Sequence, residues 1–409
     1  MKMPGKLTLL EVTSTWRASE RDAQPGFVRE LCERLGANFN VVAVVPRRFG
    51  VDIRSLDAVA VRAFHYAPER MQLLGCDGGL MQSLKKHPWQ WLLVPLYVIA
   101  LCVAIYRALK STAVDVLHAH WWFPCGFAAL VARTLARSDV PVLVTCHGAD
   151  VYALKGWGID GLKRQVLSRA DGVIAVSEKM RADLLRLLPV PRSIGYAPMG
   201  VDLVQTFTPA DPQQPRDIDL LFVGRLVEKK GLDTLVRALM LLGEGTPPIR
   251  VVVVGDGPLA GVMRSAATAL PARIVIEFDG ARGKQELPGY YRRARFTVFP
   301  SRVASNGDQE GLGLVPIESM GCGSVVLASD LQVVRETVDD GVTGFLFSPD
   351  DPAALAGLIQ RVLALDAENI SAMGARARAT VLEKYDWRVA EARYTDYICK
   401  AVADGTRAR

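Results

Sequence analysis

Two carboxylates eight positions apart, Glu310 and Glu318, are the residues of this sequence best suited to chemistry, with Gly311-Leu312-Gly313 directly after the first. A carboxylate accepts hydrogen bonds from neighbouring hydroxyls, and the amides of a glycine turn can be presented to phosphate oxygens. A second cluster, Gly224-Arg225-Leu226-Val227-Glu228-Lys229-Lys230-Gly231, sets Arg225 and Lys230 on either side of a short turn that opens onto a helix. Two cations converging on a helix N-terminus suit a diphosphate; the same residues would also serve as a solvated surface turn. Gly255-Asp256-Gly257-Pro258-Leu259 is another tight turn into a helix, either a plain connection or one wall of a nucleotide pocket. Cys146-His147-Gly148-Ala149-Asp150 places an imidazole and a carboxylate at the end of an apolar run, where the glycine and aspartate argue against a merely buried histidine. His118 and His120 also invite a metal reading, but no third ligand stands near them in sequence, so no metal site is expected.

These residues need a scaffold, and the apolar periodicity describes one. Lys6–Val12 reads as a strand, Phe27–Leu35 as a helix and Phe39–Val45 as a strand. Val114–His118 is a short strand before the aromatic turn His120-Trp121-Trp122-Phe123; the helix Phe127–Leu135 and the strands Val140–Thr145 and Asp171–Val176 follow. Ser177 is placed to cap the helix that carries Lys179 to Leu187. Prolines at 191, 198, 209, 212 and 215 then interrupt the pattern. It restarts with the strand Asp219–Val223, the helix Gly231–Leu242, the strand Arg250–Val254 and the helix Leu259–Leu270. Strands at Arg273–Phe278, Phe296–Pro300 and Ser324–Ala328 and helices around Ile317, at Pro352–Leu365 and at Ile370–Leu382 complete it. Strands alternating with helices indicate parallel sheets covered on both faces, and 409 residues suffice for two of them. The expected divisions are a domain at 1–200, a linker at 201–216, a domain at 217–384, and a C-terminal helix and tail at 385–409.

Composition narrows the classes. Hydrophobic residues at 50% and charged residues at 22% describe an ordinary folded chain. The net charge of +6 is uneven: residues 1–200 carry 25 Lys and Arg against 16 Asp and Glu, and residues 201–409 carry 24 against 27. A basic half suits a nucleic acid, an anionic lipid or a phosphorylated substrate; without zinc-finger spacing or an RNA-binding signature, nucleic acid is not expected. The seven cysteines form no CxxC pair, and most lie in apolar runs, as small hydrophobes of a reducing compartment do. The apolar stretch of MKMPGKLTLLEVTS is too short for a signal peptide and reads as the first strand. Trp89–Tyr106 is different: 18 residues without a formal charge, after Lys85, Lys86 and His87. Its length approaches that of a membrane span, but it lies inside the first α/β domain and Pro95 interrupts it. It reads either as a buried or subunit-contacting helix or as a partly exposed one resting on a membrane beside basic residues.

In order along the chain, HGAD at 147–150, GRLVEKKG at 224–231, GDGPL at 255–259, Pro300-Ser301, EGLG with the Glu310/Glu318 pair, and MGCG at 320–323 resemble retaining glycosyltransferases of the GT-B fold in glycosyltransferase group 4. The likeness spans the whole chain. Gln24-Pro25-Gly26-Phe27-Val28 stands where the family has a glycine-rich first loop, and the stretch around His118-Ala119-His120-Trp121 is similar to members that build bacterial exopolysaccharide or lipopolysaccharide. The resemblance implies two Rossmann-like α/β domains facing a central cleft, with the C-terminal helix crossing back to the first. It implies a UDP- or GDP-linked sugar donor, with no cofactor and no metal. Arg225 and Lys230 would neutralise the diphosphate, Glu310 would hold sugar hydroxyls and His147 would contact the sugar. Gly26, Gly224, Gly257, Gly311, Leu312 and Gly313 would approach the donor, Glu318 would hold the ribose, and Asp150 would orient the site or face the acceptor. That acceptor would be a glycan or a polyprenyl-diphosphate-linked oligosaccharide at the cytoplasmic face of a bacterial membrane, with a small soluble or phosphorylated molecule as the alternative. An epimerase or phosphorylase of the same fold, or a catalytically idle membrane-associated scaffold, are the rival readings. The sequence departs from the family pattern in having one glycine in the first loop, Val325 in a place often held by proline, and the insertion Ser305-Asn306-Gly307-Asp308 before Glu310.

Overall fold

The computed structural model describes residues 5–19, 22, 24–53, 56–76, 79–188, 194–211 and 214–407; Pro191 and Pro212, and the start of the N-terminal stretch, lie outside them. The chain divides into two compact units, Met1–Gly200 with Ala390–Arg409, and Val201–Val389.

The first unit holds seven strands: β1 Thr8–Val12, β2 Asn40–Pro46, β3 Val59–Phe64, β4 Val116–His120, β5 Val142–Cys146, β6 Gly172–Ala175 and β7 Ile194–Tyr196. All are parallel, in the order β3-β2-β1-β4-β5-β6-β7. Every residue of β1, β4 and β5 is buried, as covering helices on both faces of a parallel sheet require. The second unit holds β8 Ile218–Val223, β9 Ile249–Val254, β10 Ile274–Gly280, β11 Ala294–Phe299, β12 Val325–Ser329 and β13 Gly344–Phe347. Their parallel order is β10-β9-β8-β11-β12-β13. Each sheet reverses its winding once, between β1 and β4 and between β8 and β11. Chains leave such a point in opposite directions and open a crevice at the strands' carboxyl ends.

The strands that periodicity does not reveal are β3, β7 and β13, all at sheet edges. β3 is buried only at its two ends, β7 has three residues and β13 four, so none presents a continuous buried apolar run. The helix Trp157–Arg169 was likewise not foreseen. The proline-rich segment packs onto the second unit: Phe207 is fully buried, Arg378 donates to the carbonyls of Leu203 at 3.0 Å and Phe207 at 3.1 Å, and Arg292 donates to that of Thr208 at 2.7 Å. The last helices run Ala367–Tyr385 and Trp387–Arg407. They break at Asp386 because Val201 bridges there, its amide donating to the Tyr385 carbonyl at 2.9 Å while its own carbonyl accepts from Trp387 at 3.2 Å. From Ala390 onward the final helix belongs to the first unit, where Tyr394 is fully buried and the Tyr397 hydroxyl accepts from the Tyr196 amide at 3.0 Å.

The apolar segment is a short 3-10 turn, Pro88–Leu93, continued by the helix Val94–Ser111. Tyr97, Leu101, Ile105 and Ala108 are buried against β2, β3 and the helix Phe127–Ala136. The other face carries Leu92, Leu96 and Ile99 at 79%, 51% and 61% exposure. The helix therefore has two apolar faces and only one of them is core.

In the second unit the turns around the winding reversal touch backbone to backbone. Gly231 has φ +65°, and a Cβ there would lie 1.9 Å from the Pro300 carbonyl oxygen; at Gly255, φ +146°, a Cβ would lie 1.8 Å from that of Gly224. A Gly231→Ala chain is expected to lose about 2 kcal/mol of stability or more, read as an earlier urea midpoint, while Gly245→Ala, which meets open space, leaves the midpoint in place.

Candidate active site

Three turns of the second unit follow adjacent strands, β9, β8 and β11, and each carries part of the expected set. After β8, Gly224 donates to the Val254 carbonyl at 3.0 Å; Leu226 donates to that of Asp256 at 2.9 Å, and Leu259 donates back to Leu226 at 3.1 Å. The Gly224 and Gly257 turns are thus stitched into one surface. Arg302, just past β11, donates its amide to the Lys229 carbonyl at 2.9 Å and joins the third turn to the first.

On this base the charged side chains meet. Lys230 Nζ lies 2.9 Å from Glu310 Oε1, with the Lys230 cation also 5.2 Å from the centre of the Phe299 ring. This ion pair is the one polar contact of the buried Glu310 Oε1 among the described residues. Burial pushes the Glu310 carboxyl up, but Lys230, with Lys229 behind it, outweighs that and holds it below its usual range. Lys229 itself pairs with Asp308 at 3.1 Å, and Glu228 accepts from the amide and hydroxyl of Ser305 at 2.7 and 2.9 Å. The inserted Ser305–Asp308 segment is therefore tied to the basic turn. Arg225 is exposed, and its side chain makes no hydrogen bond or salt bridge among the described residues. Gly311, Leu312 and Gly313 are buried and lead into the helix Leu314–Gly321, whose N-terminus has no side-chain cap. Its free amides and dipole favour an anion. One turn on, Glu318 accepts from the Tyr291 hydroxyl at 2.9 Å. Tyr291 has no motif signature; it is fully buried, and among the described residues its hydroxyl bonds to this carboxylate alone.

In the first unit, His147 follows β5 and sits among aromatic rings, 5.1 Å from Phe27, 4.7 Å from Trp121 and 5.1 Å from His120 between centres. Trp121 has φ +70°, a strained region for a bulky residue that costs about 1–3 kcal/mol. Its amide and carbonyl bonds to Thr145 and Gly126, 2.8 and 3.0 Å, hold it there. Burial first, then the neighbouring His120 and His118, pushes the His147 pKa well below that of a free imidazole. Asp150 is 2% exposed and its oxygens accept from the amides of His147 and Gly148, both at 3.0 Å, and of Trp122 at 3.2 Å. Its carboxylate is turned inward and shapes the loop that carries His147. Lys163, also 2% exposed, holds the same loop through the carbonyls of Val151 and Leu154 at 2.9 and 2.8 Å. Gly26 has φ −89°, which any residue adopts; a Cβ there would meet Arg17 Cδ at 3.2 Å.

Sequence reading left His118 and His120 without a third partner. The β1–β4 pairing supplies one: Glu11, opposite His118 in register, places a carboxylate between the two rings. Glu11, His118 and His120 could bring ligand atoms within 4.8 Å of one another, but each facing atom already closes a hydrogen bond. Oε1 is 3.0 Å from His118 Nδ1, and Oε2 is 3.0 Å from His120 Nε2. Burial raises the Glu11 pKa, His118 and then His120 more than offset it, and the carboxyl falls to about 2. The sequence signal for this group was weak: a single acid inside an otherwise apolar strand.

The chain matches two family models end to end, "Glycosyltransferase Family 4" over residues 27–205 and "Glycosyl transferases group 1" over residues 205–380. It is 30% identical over 293 residues to a GDP-mannose-dependent alpha-(1-6)-phosphatidylinositol monomannoside mannosyltransferase of Mycolicibacterium smegmatis, covering 68% of this chain and 75% of the relative. It is 26% identical over 316 residues to the putative colanic acid biosynthesis glycosyltransferase WcaL of Escherichia coli, covering 75% and 76%. Among solved structures, sucrose-phosphate synthase of Thermosynechococcus elongatus superposes with a TM-score of 0.76 at 22% identity, covering 98% of this chain and 100% of that one. Anabaena HepE in complex with UDP and glucose gives 0.69 at 18%, covering 96% and 100%.

The row of buried rings makes the first unit acid-sensitive. His120 and His147 have lowered folded pKa values, chiefly through burial, so below about pH 6.5 the unfolded chain takes up protons that the folded one refuses. Stability is complete above that pH and falls below it; the Glu11 contribution is lost later, as pH falls from about 4.5 toward about 2. Thermal unfolding of the parent should drop between pH 7.5 and 5.5, and a His147→Ala chain, with one ring fewer to keep neutral, should drop less.

Proposed function

This chain belongs to the GT-B glycosyltransferases of the group 1 and family 4 type, and we propose that it transfers its sugar with retention of anomeric configuration to a glycan or polyprenyl-diphosphate-linked acceptor at a membrane surface. That it is an enzyme using a nucleotide-sugar donor follows from the family. The observation that carries the finer reading is the Lys230–Glu310 pair beside the exposed Arg225 and the uncapped Gly311–Gly313 turn.

As the donor breaks, negative charge grows on the departing nucleoside diphosphate and positive charge on the sugar. Arg225, Lys230 and the amides before Leu314 are fixed in advance where the diphosphate would lie, so they stabilise that charge more in the transition state than in the ground state. These cations supply the charge neutralisation that a metal ion would otherwise give. Lys230 has further donors beyond the one facing Glu310, and the Glu310 carboxylate has lone pairs left beside that ion pair for a sugar hydroxyl. Glu318, braced by Tyr291, suits the ribose. From the first unit, His147 contacts the sugar and Gly26 approaches the phosphates, with Asp150 holding the His147 loop in shape.

Retention needs either a covalent nucleophile or attack from the leaving-group side. Asp150 is occupied by three amides and Glu310 by Lys230, which favours the second route. The bond from the sugar's anomeric carbon to the diphosphate breaks, the acceptor oxygen bonds to that carbon on the same face, and the acceptor's proton passes to the leaving phosphate oxygen. Intact-mass analysis of quenched turnover should show unmodified protein; a stoichiometric glycosyl ester on Glu310 or Asp150 would overturn this route.

The acceptor's setting is argued from the helix Val94–Ser111 and the turn before it. Trp89, Trp91, Leu92, Leu96, Ile99 and Val103 are exposed on an uncharged stretch, with exposed Lys86 at one end and Arg107 and Lys110 at the other. Apolar side chains between cations fit an anionic bilayer interface, and the enzyme would sit on the cytoplasmic face where nucleotide sugars are made. The chain is expected to float with vesicles of phosphatidylglycerol and phosphatidylcholine, and a Trp91→Ser, Leu92→Ser, Leu96→Ser chain is expected to sediment. A parent that does not float points to the soluble acceptor instead.

A hydrolysis screen over UDP- and GDP-sugars identifies the donor. With it, Arg225→Ala or Lys230→Ala should lower kcat about a hundredfold while KM changes less than tenfold; an unchanged kcat removes the proposed role.

A further inference from the structure

Glu11 is fully buried, and its carboxylate touches two imidazoles at once. An ionised carboxylate can only accept hydrogen bonds, so His118 Nδ1 and His120 Nε2 must both carry hydrogens. The consequences run outward in both directions. His118 Nε2 faces the Thr145 hydroxyl at 2.7 Å. Burial keeps His120 neutral, so its Nδ1 is left as an acceptor, and its partner at 2.9 Å is His147 Nε2, which must therefore be protonated. Burial keeps His147 neutral. A neutral ring protonated at Nε2 has a bare lone pair at Nδ1, and that atom has no partner among the described residues.

We propose that Glu11 is a positioning residue: acting through His120, it locks His147 in the Nε2-protonated tautomer and presents Nδ1 as an obligate hydrogen-bond acceptor to the transferred sugar. This deepens the reading above and rests on its placing of His147 against the donor. Two effects follow. A hydroxyl bonded to Nδ1 must donate, which fixes its rotor and leaves its oxygen lone pairs for other donors. A lone pair aimed at the sugar also opposes the positive charge that grows there, whereas an N–H would add to it. The aromatic cage of Phe27 and Trp121 holds the ring plane, and the relay decides which edge carries the proton.

The test reads tautomers directly on the full chain labelled with nitrogen-15 at histidine, by two-bond proton–nitrogen correlation at neutral pH and without ligand. The parent should show His147 protonated only at Nε2 and His120 likewise. A parent His147 protonated at Nδ1 overturns the proposal without any variant. In Glu11→Leu the rings lose their common acceptor, and the His147 signals should move to a mixture of tautomers. Glu11→Gln is the second variant if the first does not fold: its amide nitrogen faces one ring and reverses it, and His147 follows when that ring is His120. Thr145→Val cuts only the His118 branch and should leave His147 unchanged. If Glu11→Leu folds, or Glu11→Gln reverses His120, while His147 stays purely Nε2-protonated, Glu11 is structural only and the proposal fails. With UDP-glucose or GDP-mannose, whichever the parent hydrolyses, the Glu11 variant in which His147 loses its pure Nε2 form should lower kcat about tenfold, one hydrogen bond's worth, with KM little changed. A His147→Ala chain that keeps full turnover would overturn the contact with the sugar while leaving the tautomer result intact.

Discussion

The second unit depends on keeping an ammonium and a carboxylate together in a nearly dry place. Lys230 and Glu310 are mostly withdrawn from water, and removing two charges from solvent costs several kcal/mol that their attraction only roughly offsets. Such a pair adds little to stability; what it specifies is geometry. To keep it, the turns after β8 and β11 must approach backbone to backbone, which Gly231 permits by having no Cβ. The Gly255 turn must lie against Gly224, and the helix Leu314–Gly321 must begin where its bare amides face the same space. The pair is one decision with several structural consequences.

The first unit solves a different problem with the same architecture. At its winding reversal, where the second unit presents cations to solvent, it buries a carboxylate beneath three imidazoles. A carboxylate with no water and no guanidinium needs donors, and rings with no water need fixed partners. The row satisfies both, and its outermost member is the histidine expected to meet the sugar. The strained Trp121 belongs to the same arrangement: its unfavourable backbone is tolerated because it closes the cage around that ring.

Most of the scaffold was legible because the central strands are largely apolar. β5, β8 and β9 also run into glycine turns, whereas β1, β4 and β11 lead into a polar, an aromatic and a proline–serine turn. The edge strands β3, β7 and β13 were not legible, since a half-covered or very short strand has no continuous buried apolar run. The break at Asp386 was invisible for another reason. Nothing local ends the helix there; a residue 185 positions earlier, Val201, does so by pairing with it. The apolar segment was legible as an oddity, but which residues face the core and which face outward emerged only from its packing against β2 and β3.

The sequence by itself determined the chemistry available: the basic turn, the two carboxylates around Gly311-Leu312-Gly313, and the histidine–aspartate turn after β5, each recognisable because its spacing is short and local. Tertiary structure decided what those groups are joined to. It paired Lys230 with Glu310 across 80 residues of chain, gave Glu318 its tyrosine, turned Asp150 inward, and put Glu11 between His118 and His120. The physical reason is the parallel sheet. Its register brings together residues that are distant in sequence at a spacing set by the backbone, and no local pattern in the chain records which of them will meet.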